Sequence, residues 1–132
     1  MKLGVGRALT GATALTVAAV VAFPGSAAAS PEPPGDGWDH VFSVKGVTVY
    51  VEEYGDVISV CDTLANGHNA WVDVSYGSGW LYTAKVNSGA GSCATHRASE
   101  GGIYDLKEGR DYLLDFAGSV DGVYLESFSN NH

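Results

Sequence analysis

Short runs of alternating apolar and polar residues fill the chain from about residue 40 onward. Val47, Val49 and Val51 alternate with polar residues, and Val72 and Val74 repeat the pattern further along. A period of two residues is that of a strand with one buried face. Further runs that we interpret as strands cover residues 41–45, 57–62, 80–86, 112–116 and 123–128, with a short one at 103–106. The pattern predicts seven to eight short strands and no substantial helix.

Turn signals separate these runs at intervals of about 8 to 15 residues. Asn66-Gly67 is the strongest of them, because both residues tolerate a positive φ. Many short strands without crossover helices favour antiparallel pairing, so we predict an all-β fold, a small antiparallel β-sandwich. A small β-barrel is the alternative. The predicted core consists of the apolar residues with inward parity: Val49, Val51, Val72, Val74, Trp80, Tyr82, Leu114 and Leu125.

Three segments organise the 132 residues. Residues 1–29 have the features of a secretory signal peptide: Lys2 and Arg7, an apolar run, and Ala27-Ala28-Ala29 as a cleavage site. The apolar run is shorter than the roughly 20 residues that span a bilayer. We therefore expect cleavage before Ser30, secretion to the extracellular space, and no membrane association afterwards. Residues 30–37 form a flexible arm rich in Pro and Gly, and residues 38–132 form a single β-rich domain.

The charge balance excludes one class of partner. The full chain carries 7 basic and 15 acidic residues, a formal charge of −8. Loss of Lys2 and Arg7 with the leader takes this charge to −10. Nucleic-acid binding needs a basic face, so no nucleic-acid partner is expected.

The two cysteines, Cys61 and Cys93, both follow the leader. An even number of cysteines in an exported chain indicates a disulfide, and two cysteines allow a single intramolecular pairing. We expect this bond to fix the long polar segment 87–102 to the strand that carries Cys61.

The sequence contains no pattern of reactive or metal-binding residues that predicts catalysis or a cofactor. The chain has no GxSxG, CxxC or HExxH motif, and its four histidines do not pair at metal-ligand spacing. His132 ends the sequence and is expected to fray. The acidic residues read as a solvated surface. We predict no metal site, no cofactor and no enzyme activity.

Two features are candidates for binding. His96, Arg97 and Glu100 lie in the segment anchored by Cys93, and we take them as a candidate binding segment. Trp71 has the parity of Asp73 and Ser75, opposite to the valines of its strand, so it is a candidate aromatic contact on a sheet face.

Several short motifs together carry a resemblance. They are residues 60–63 followed by Asn66-Gly67, residues 88–93, and residues 105–110. With the leader, these segments resemble small exported proteins of actinomycetes, of the Streptomyces type, which have no assigned function. The resemblance supplies no catalytic residues. Many proteins of that group carry further cysteines near the C-terminus, and this chain has none.

The sequence thus favours a monomeric, non-catalytic extracellular binding or accessory module. Its partner is expected to be an extracellular protein or a polysaccharide. One alternative is a secreted inhibitor of a protease or glycosidase, with the Cys93-anchored segment as its inhibitory loop. Another alternative is a stand-alone carbohydrate-binding module built on sheet aromatics.

Overall fold

The computed structural model describes residues 31–33, 35 and 37–132. These residues form two four-stranded antiparallel sheets. Sheet I has the order β1-β2-β3-β6, and sheet II has the order β5-β4-β7-β8. The strands are β1 (His40–Val44), β2 (Val47–Glu52), β3 (Val57–Asp62), β4 (Trp71–Tyr76), β5 (Gly79–Lys85), β6 (Cys93–His96), β7 (Arg110–Ala117) and β8 (Tyr124–Asn130). Two single-turn 3₁₀ helices, Ala98–Glu100 and Gly102–Tyr104, follow β6, so the short strand predicted at 103–106 is wrong.

The predicted all-β antiparallel sandwich is confirmed, and so is the single disulfide between Cys61 and Cys93. The two sheets do not join into one closed cylinder, so the barrel alternative is wrong. The alternation pattern does not predict β6, because its sequence, CATH, lacks large apolar residues. The proposed signal peptide, residues 1–29, lies outside the described residues, and so does part of the proposed arm.

The core lies between the sheets. Both sheets contribute buried side chains to this core: Val49 and Val51 from sheet I, and Val72, Val74 and Leu114 from sheet II. In β2 and β4 these valines alternate with polar residues or tyrosine, so each of the two strands has one mainly apolar face, and burial of these faces holds the sheets together. Together with Tyr82, these six residues confirm most of the predicted core.

Trp80 was predicted to lie in the core, and this prediction is wrong. Its side chain is 64% exposed. The register between β4 and β5 pairs Val74 with Tyr82 but Ser75 with Trp80, so Leu81 is an extra residue in β5. A bulge of this kind reverses the facing of the residues beyond it. Trp80 therefore points outward, although it shares the parity of buried Tyr82.

Leu125 was also predicted to be buried, and it is 62% exposed. In the β7–β8 register Leu125 is opposite Asp115, which lies between the buried residues Leu114 and Phe116 and so faces outward. The inward residue of β8 is Phe128, which is opposite buried Tyr112. Leu125 and Phe128 are three positions apart, so a strand cannot point both toward the core.

The outer face of sheet I is closed by its own side chains. The disulfide links the registered pair Cys61 and Cys93 on this face. Ser59 Oγ and Thr95 Oγ1 share a hydrogen bond of 2.7 Å next to it. Tyr50 packs on Trp38, with ring centroids 5.2 Å apart. These pairs cover the middle of this face, whereas Val41 and Ser43 of the edge strand β1 stay exposed.

Candidate functional site

The outer face of sheet II exposes several large apolar side chains, including a tryptophan, whereas Val41 is the large apolar residue exposed on the outer strands of sheet I. Trp80, Leu113 and Leu125 project from it and are exposed, and Trp71 is half-buried at its far end. The register places Ser75 between Leu113 on β7 and Trp80 on β5, so these side chains share one cross-strand row. We call this surface the sheet II face.

Trp80 is oriented by a chain of hydrogen bonds across β5 and β4. Its indole Nε1–H donates to Thr83 Oγ1 over 3.3 Å, and the Thr83 hydroxyl in turn donates to the Asp73 carboxylate. Thr83 and Asp73 are direct cross-strand neighbours. The ring is thus held along its own strand while most of its surface stays in contact with solvent.

Trp71 lies on the same face, as its parity predicted. It is flanked by the buried residues Ala70 and Val72 and is registered with Lys85 of β5. Ser75, the partner of Trp80, is four residues from Trp71 on β4. At about 3.3 Å per residue, the two indoles are attached roughly 13 Å apart along the strand direction.

Two carboxylates stand side by side between the tryptophans. Asp73 of β4 is directly opposite Asp115 of β7, and both are only partly exposed. Like charges directly opposite each other destabilise a sheet. Asp73 already accepts a hydrogen bond from the Thr83 hydroxyl, and the remaining oxygens of the pair can accept further hydrogen bonds from a donor at this surface.

An open cavity of about 260 Å³ adjoins Trp71. The indole forms one wall, and polar side chains of Lys85, His68, Asn69 and Ser119 contribute the others. The Asn66-Gly67 turn shapes the rim, because Asn66 Oδ1 accepts a hydrogen bond from the His68 amide and its Nδ2 donates to the Gly118 carbonyl. The face therefore ends in a concave, polar recess with one aromatic wall.

These groups together suit a polyhydroxylated ligand. An aromatic ring presents an electron-rich face that attracts the weakly positive C–H groups of a sugar ring. Carboxylates accept hydrogen bonds from hydroxyl groups, and such charge-assisted bonds are stronger than neutral ones. The sheet II face offers two tryptophans with carboxylates and hydroxyls between them, which is the chemistry that a glycan chain needs.

The candidate binding segment has a different character. Arg97 N donates to Glu100 Oε2 over 2.7 Å, and His96 Nδ1 lies 3.1 Å from the same oxygen. The backbone bond from Arg97, then the bond from His96, hold the pKa of Glu100 below its usual value. Two of the three predicted side chains are therefore engaged with each other, and Arg97 is left exposed.

The His96 imidazole also serves packing. It stacks on Tyr104 with ring centroids 4.4 Å apart and meets the edge of Tyr82 at 5.4 Å. Tyr82 is buried, and this burial raises the pKa of its hydroxyl. The segment forms strand β6 and a 3₁₀ turn closing the side of the sandwich, and its role in binding stays a prediction.

Because its parity predicts a core position, Trp80 is not among the predicted binding residues, although it is the most exposed tryptophan of the described residues. One signal was present. Residues 80–82 read Trp-Leu-Tyr, and three large residues in succession cannot all face one side of a regular strand. Either Leu81 or one of its neighbours had to point outward.

Comparisons with protein-family models, with curated proteins and with solved structures give no match for this chain. Its resemblance to exported actinomycete proteins therefore stays a prediction. Within residues 31–33, 35 and 37–132, no helix is long and apolar enough to cross a membrane.

Proposed function

We propose that this chain is a non-catalytic, extracellular binding module that holds a polysaccharide chain on the sheet II face. The observation that carries the proposal is Trp80, a 64%-exposed indole oriented by Thr83 on a sheet whose other face is the core. Leaving an indole in water forgoes roughly 2 kcal/mol of burial free energy or more. Such exposure, with a second tryptophan on the same face, supports a stacking platform.

The distance between Trp71 and Trp80 favours an extended ligand. Trp71 and Trp80 are attached roughly 13 Å apart along the strand direction, which exceeds the width of one sugar ring. Asp73 and Thr83 lie in the interval between them. A chain of several sugar units can stack on both indoles and bond to the side chains between them, whereas a single sugar reaches one indole only.

The geometry of the carboxylates supports binding rather than hydrolysis. Asp73 and Asp115 are cross-strand neighbours on an open sheet surface. The usual mechanism of glycoside cleavage uses two carboxyl groups that flank the scissile bond, so the substrate lies between them. Neighbouring carboxylates on one surface meet a sugar from the same side, where they act as hydrogen-bond acceptors.

An extracellular location is part of the proposal. The Cys61–Cys93 disulfide is stable in oxidising compartments and rare in the cytosol. The residues that precede the β domain have the composition of an export signal. Amino-terminal sequencing of protein from the culture medium should give Ser30 as the first residue, and material that retains residues 1–29 there would contradict export by cleavage.

Binding to insoluble polysaccharides tests the function. The purified protein is incubated with cellulose, chitin and xylan in separate depletion experiments, and the unbound fraction is measured. We expect retention on at least one of them, with at least a tenfold weaker affinity for Trp80→Ala and a smaller loss for Trp71→Ala. Because Trp80 is exposed, its replacement should leave the fold intact, which circular dichroism verifies.

Tyr54→Ala is the matched control. It removes an aromatic ring that is 76% exposed but lies in the turn between β2 and β3, away from the sheet II face. Its affinity should equal that of the unmodified protein. Retention on none of the three polysaccharides, or equal binding by Trp80→Ala, would overturn the proposal. If an Arg97→Ala variant alone lost binding, the segment after β6 would be the site instead.

A further inference from the structure

Three potential metal ligands from distant parts of the sequence meet at one end of the sandwich. One ligand atom each from Asp56, Glu108 and His132 lie within 4.8 Å of one another. His132 Nε2 is 2.8 Å from Glu108 Oε1, and the His132 amide donates to Glu108 Oε2. The expectation that His132 frays is therefore wrong, since its backbone and its ring both have partners.

The strand register explains why two of these residues meet. Arg110 of β7 is opposite Asn130 of β8, and the Gly109 amide donates to the Asn130 carbonyl. Glu108 lies two positions before Arg110, and His132 lies two positions after Asn130. Continuation of the same antiparallel spacing therefore sets Glu108 opposite His132. Glu53 Oε2 accepts a hydrogen bond from the Asn131 amide over 3.0 Å, which holds the backbone just before His132.

Asp56 reaches the cluster from the other sheet. It lies in the turn between β2 and β3 and is 4% exposed. Its Oδ2 accepts from the Leu106 amide over 2.7 Å, and its Oδ1 accepts from Asn130 Nδ2 over 2.8 Å. This carboxylate is therefore fixed in position, and the two exposed ligands can adjust to it.

A second observation at the same place points to a ligand. Asn130 is fully buried and its carboxamide is directed at the Asp56 carboxylate, yet its Oδ1 has no hydrogen-bond partner among the described residues. Buried polar atoms without partners are rare in proteins and cost free energy. The unpaired oxygen belongs to the side chain whose Nδ2 holds the Asp56 carboxylate in place, so the buried part of the cluster has an unusual polar arrangement.

We propose that Asp56, Glu108 and His132 form a binding site for a divalent transition-metal cation, of which Zn²⁺ is the best fit. An imidazole nitrogen with two carboxylate oxygens is a donor set that zinc accepts, with water in the fourth position. Calcium prefers six or more oxygen ligands and does not favour imidazole.

The distances fit zinc after a small movement. Tetrahedral zinc holds its nitrogen and oxygen ligands at about 2.1 Å, which places them roughly 3.4 Å from one another. Glu108 and His132 expose 52% and 29% of their side chains, so they are free to move toward Asp56 by about an ångström. Metal binding would tie the β2–β3 turn of sheet I to the ends of β7 and β8 in sheet II, and thus join the sheets at this end.

Titration calorimetry with zinc chloride tests the site. We expect one zinc ion per chain, with affinity at least tenfold weaker in His132→Gln and in Glu108→Gln. Both side chains are partly exposed, so neither change should unfold the protein, and the melting temperature without metal checks this. Zinc should raise that melting temperature in the unmodified protein and fail to do so in either variant.

His68→Gln and Glu126→Gln are the matched controls, since they remove an exposed imidazole and an exposed carboxylate elsewhere. Each should bind zinc as the unmodified protein does. The proposal is overturned if His132→Gln keeps the original zinc affinity, if His68→Gln abolishes binding, or if no stoichiometric zinc binds. Equal affinity for calcium chloride would overturn the assignment to the transition-metal class. The polysaccharide experiment has no bearing on these outcomes.

Discussion

The outer faces of the two sheets differ in how their side chains are placed. On sheet I, Ser59 and Cys61 face outward and are fully buried, and each is bonded across strands, Ser59 to Thr95 and Cys61 to Cys93. On sheet II, Trp80 and Leu125 face outward and are more than 60% exposed. The middle of the first face is closed by bonds among its own side chains, with Val41 exposed at its edge, whereas the second face presents several large apolar side chains and a pair of carboxylates to solvent.

The contrast suggests that the outer face of sheet I contributes mainly to stability and that the sheet II face contributes mainly to binding. A face whose groups bond to one another contributes to the free energy of folding and offers little to a ligand. A face with exposed aromatic rings and opposed like charges contributes less to folding, and its groups remain available. Substitutions on the outer face of sheet I should therefore lower stability, whereas substitutions on the sheet II face should lower affinity.

Loss of the disulfide should have the largest effect on stability. Cys61→Ser and Cys93→Ser both open a loop with a sequence separation of 32, for which chain entropy predicts a loss of about 3 to 4 kcal/mol. Chemical denaturation measures the free energy of unfolding. The two variants should agree closely, because each removes the same bond. A large difference between them would show that local packing, rather than loop closure, dominates.

Removal of a buried hydroxyl on sheet I should have the next largest effect. Ser59→Ala deletes the partner of Thr95 Oγ1 at a fully buried position, which should cost about 1 kcal/mol. Thr83→Ala is the corresponding change on the sheet II face, where the hydroxyl is exposed and water can replace its bonds. Urea unfolding should show a smaller loss for Thr83→Ala, and the reverse order would contradict the contrast between the faces.

Asp115→Asn should move stability in the opposite direction. It removes the charge opposite Asp73, so the free energy of unfolding should rise by a few tenths of a kcal/mol at low ionic strength. Salt screens exposed charges, so the gain should shrink in 1 M NaCl. The same variant should bind polysaccharide more weakly. A stabilised variant with undiminished affinity would show that this carboxylate takes no part in binding.

The smallest effect concerns pH at the edge of sheet I. The Glu100 pKa is held below its ordinary value of 4.5, chiefly by the Arg97 amide. A lowered carboxyl pKa contributes stability that is present above the ordinary value and is lost as pH falls through the folded-state value. Melting temperatures between pH 6 and pH 3 should therefore fall less in Glu100→Gln than in the unmodified protein. Parallel curves would contradict the assigned bond.

Alternation along the chain was enough to predict the sandwich, because Val49, Val51, Val72 and Val74 have neighbours of opposite polarity that leave one possible facing. Alternation did not predict which side chains face outward where a bulge interrupts a strand. The bulge at Leu81 turns Trp80 outward, and a bulge depends on strand pairing rather than on local composition.

The candidate sites could be predicted only where they depend on local sequence and not on strand pairing. Trp71 could be placed on an outer face, because β4 alternates regularly and pairs with β7 without a shift in register. The cluster of Asp56, Glu108 and His132 could not be foreseen, because these residues lie 52 and 24 positions apart in the sequence and meet only through the β7–β8 register and a turn of the other sheet. Motif searches detect ligands that are close in sequence, and this set has no such pair.

Two measurements on one variant, Trp80→Ala, decide whether the sheet II face serves binding. We expect a free energy of unfolding within about 0.5 kcal/mol of that of the unmodified protein, since the ring is exposed. We also expect at least a tenfold loss of affinity for the polysaccharide that binds the unmodified protein. A variant that unfolds much more readily but binds as before would contradict the central claim that the sheet II face serves binding and not stability.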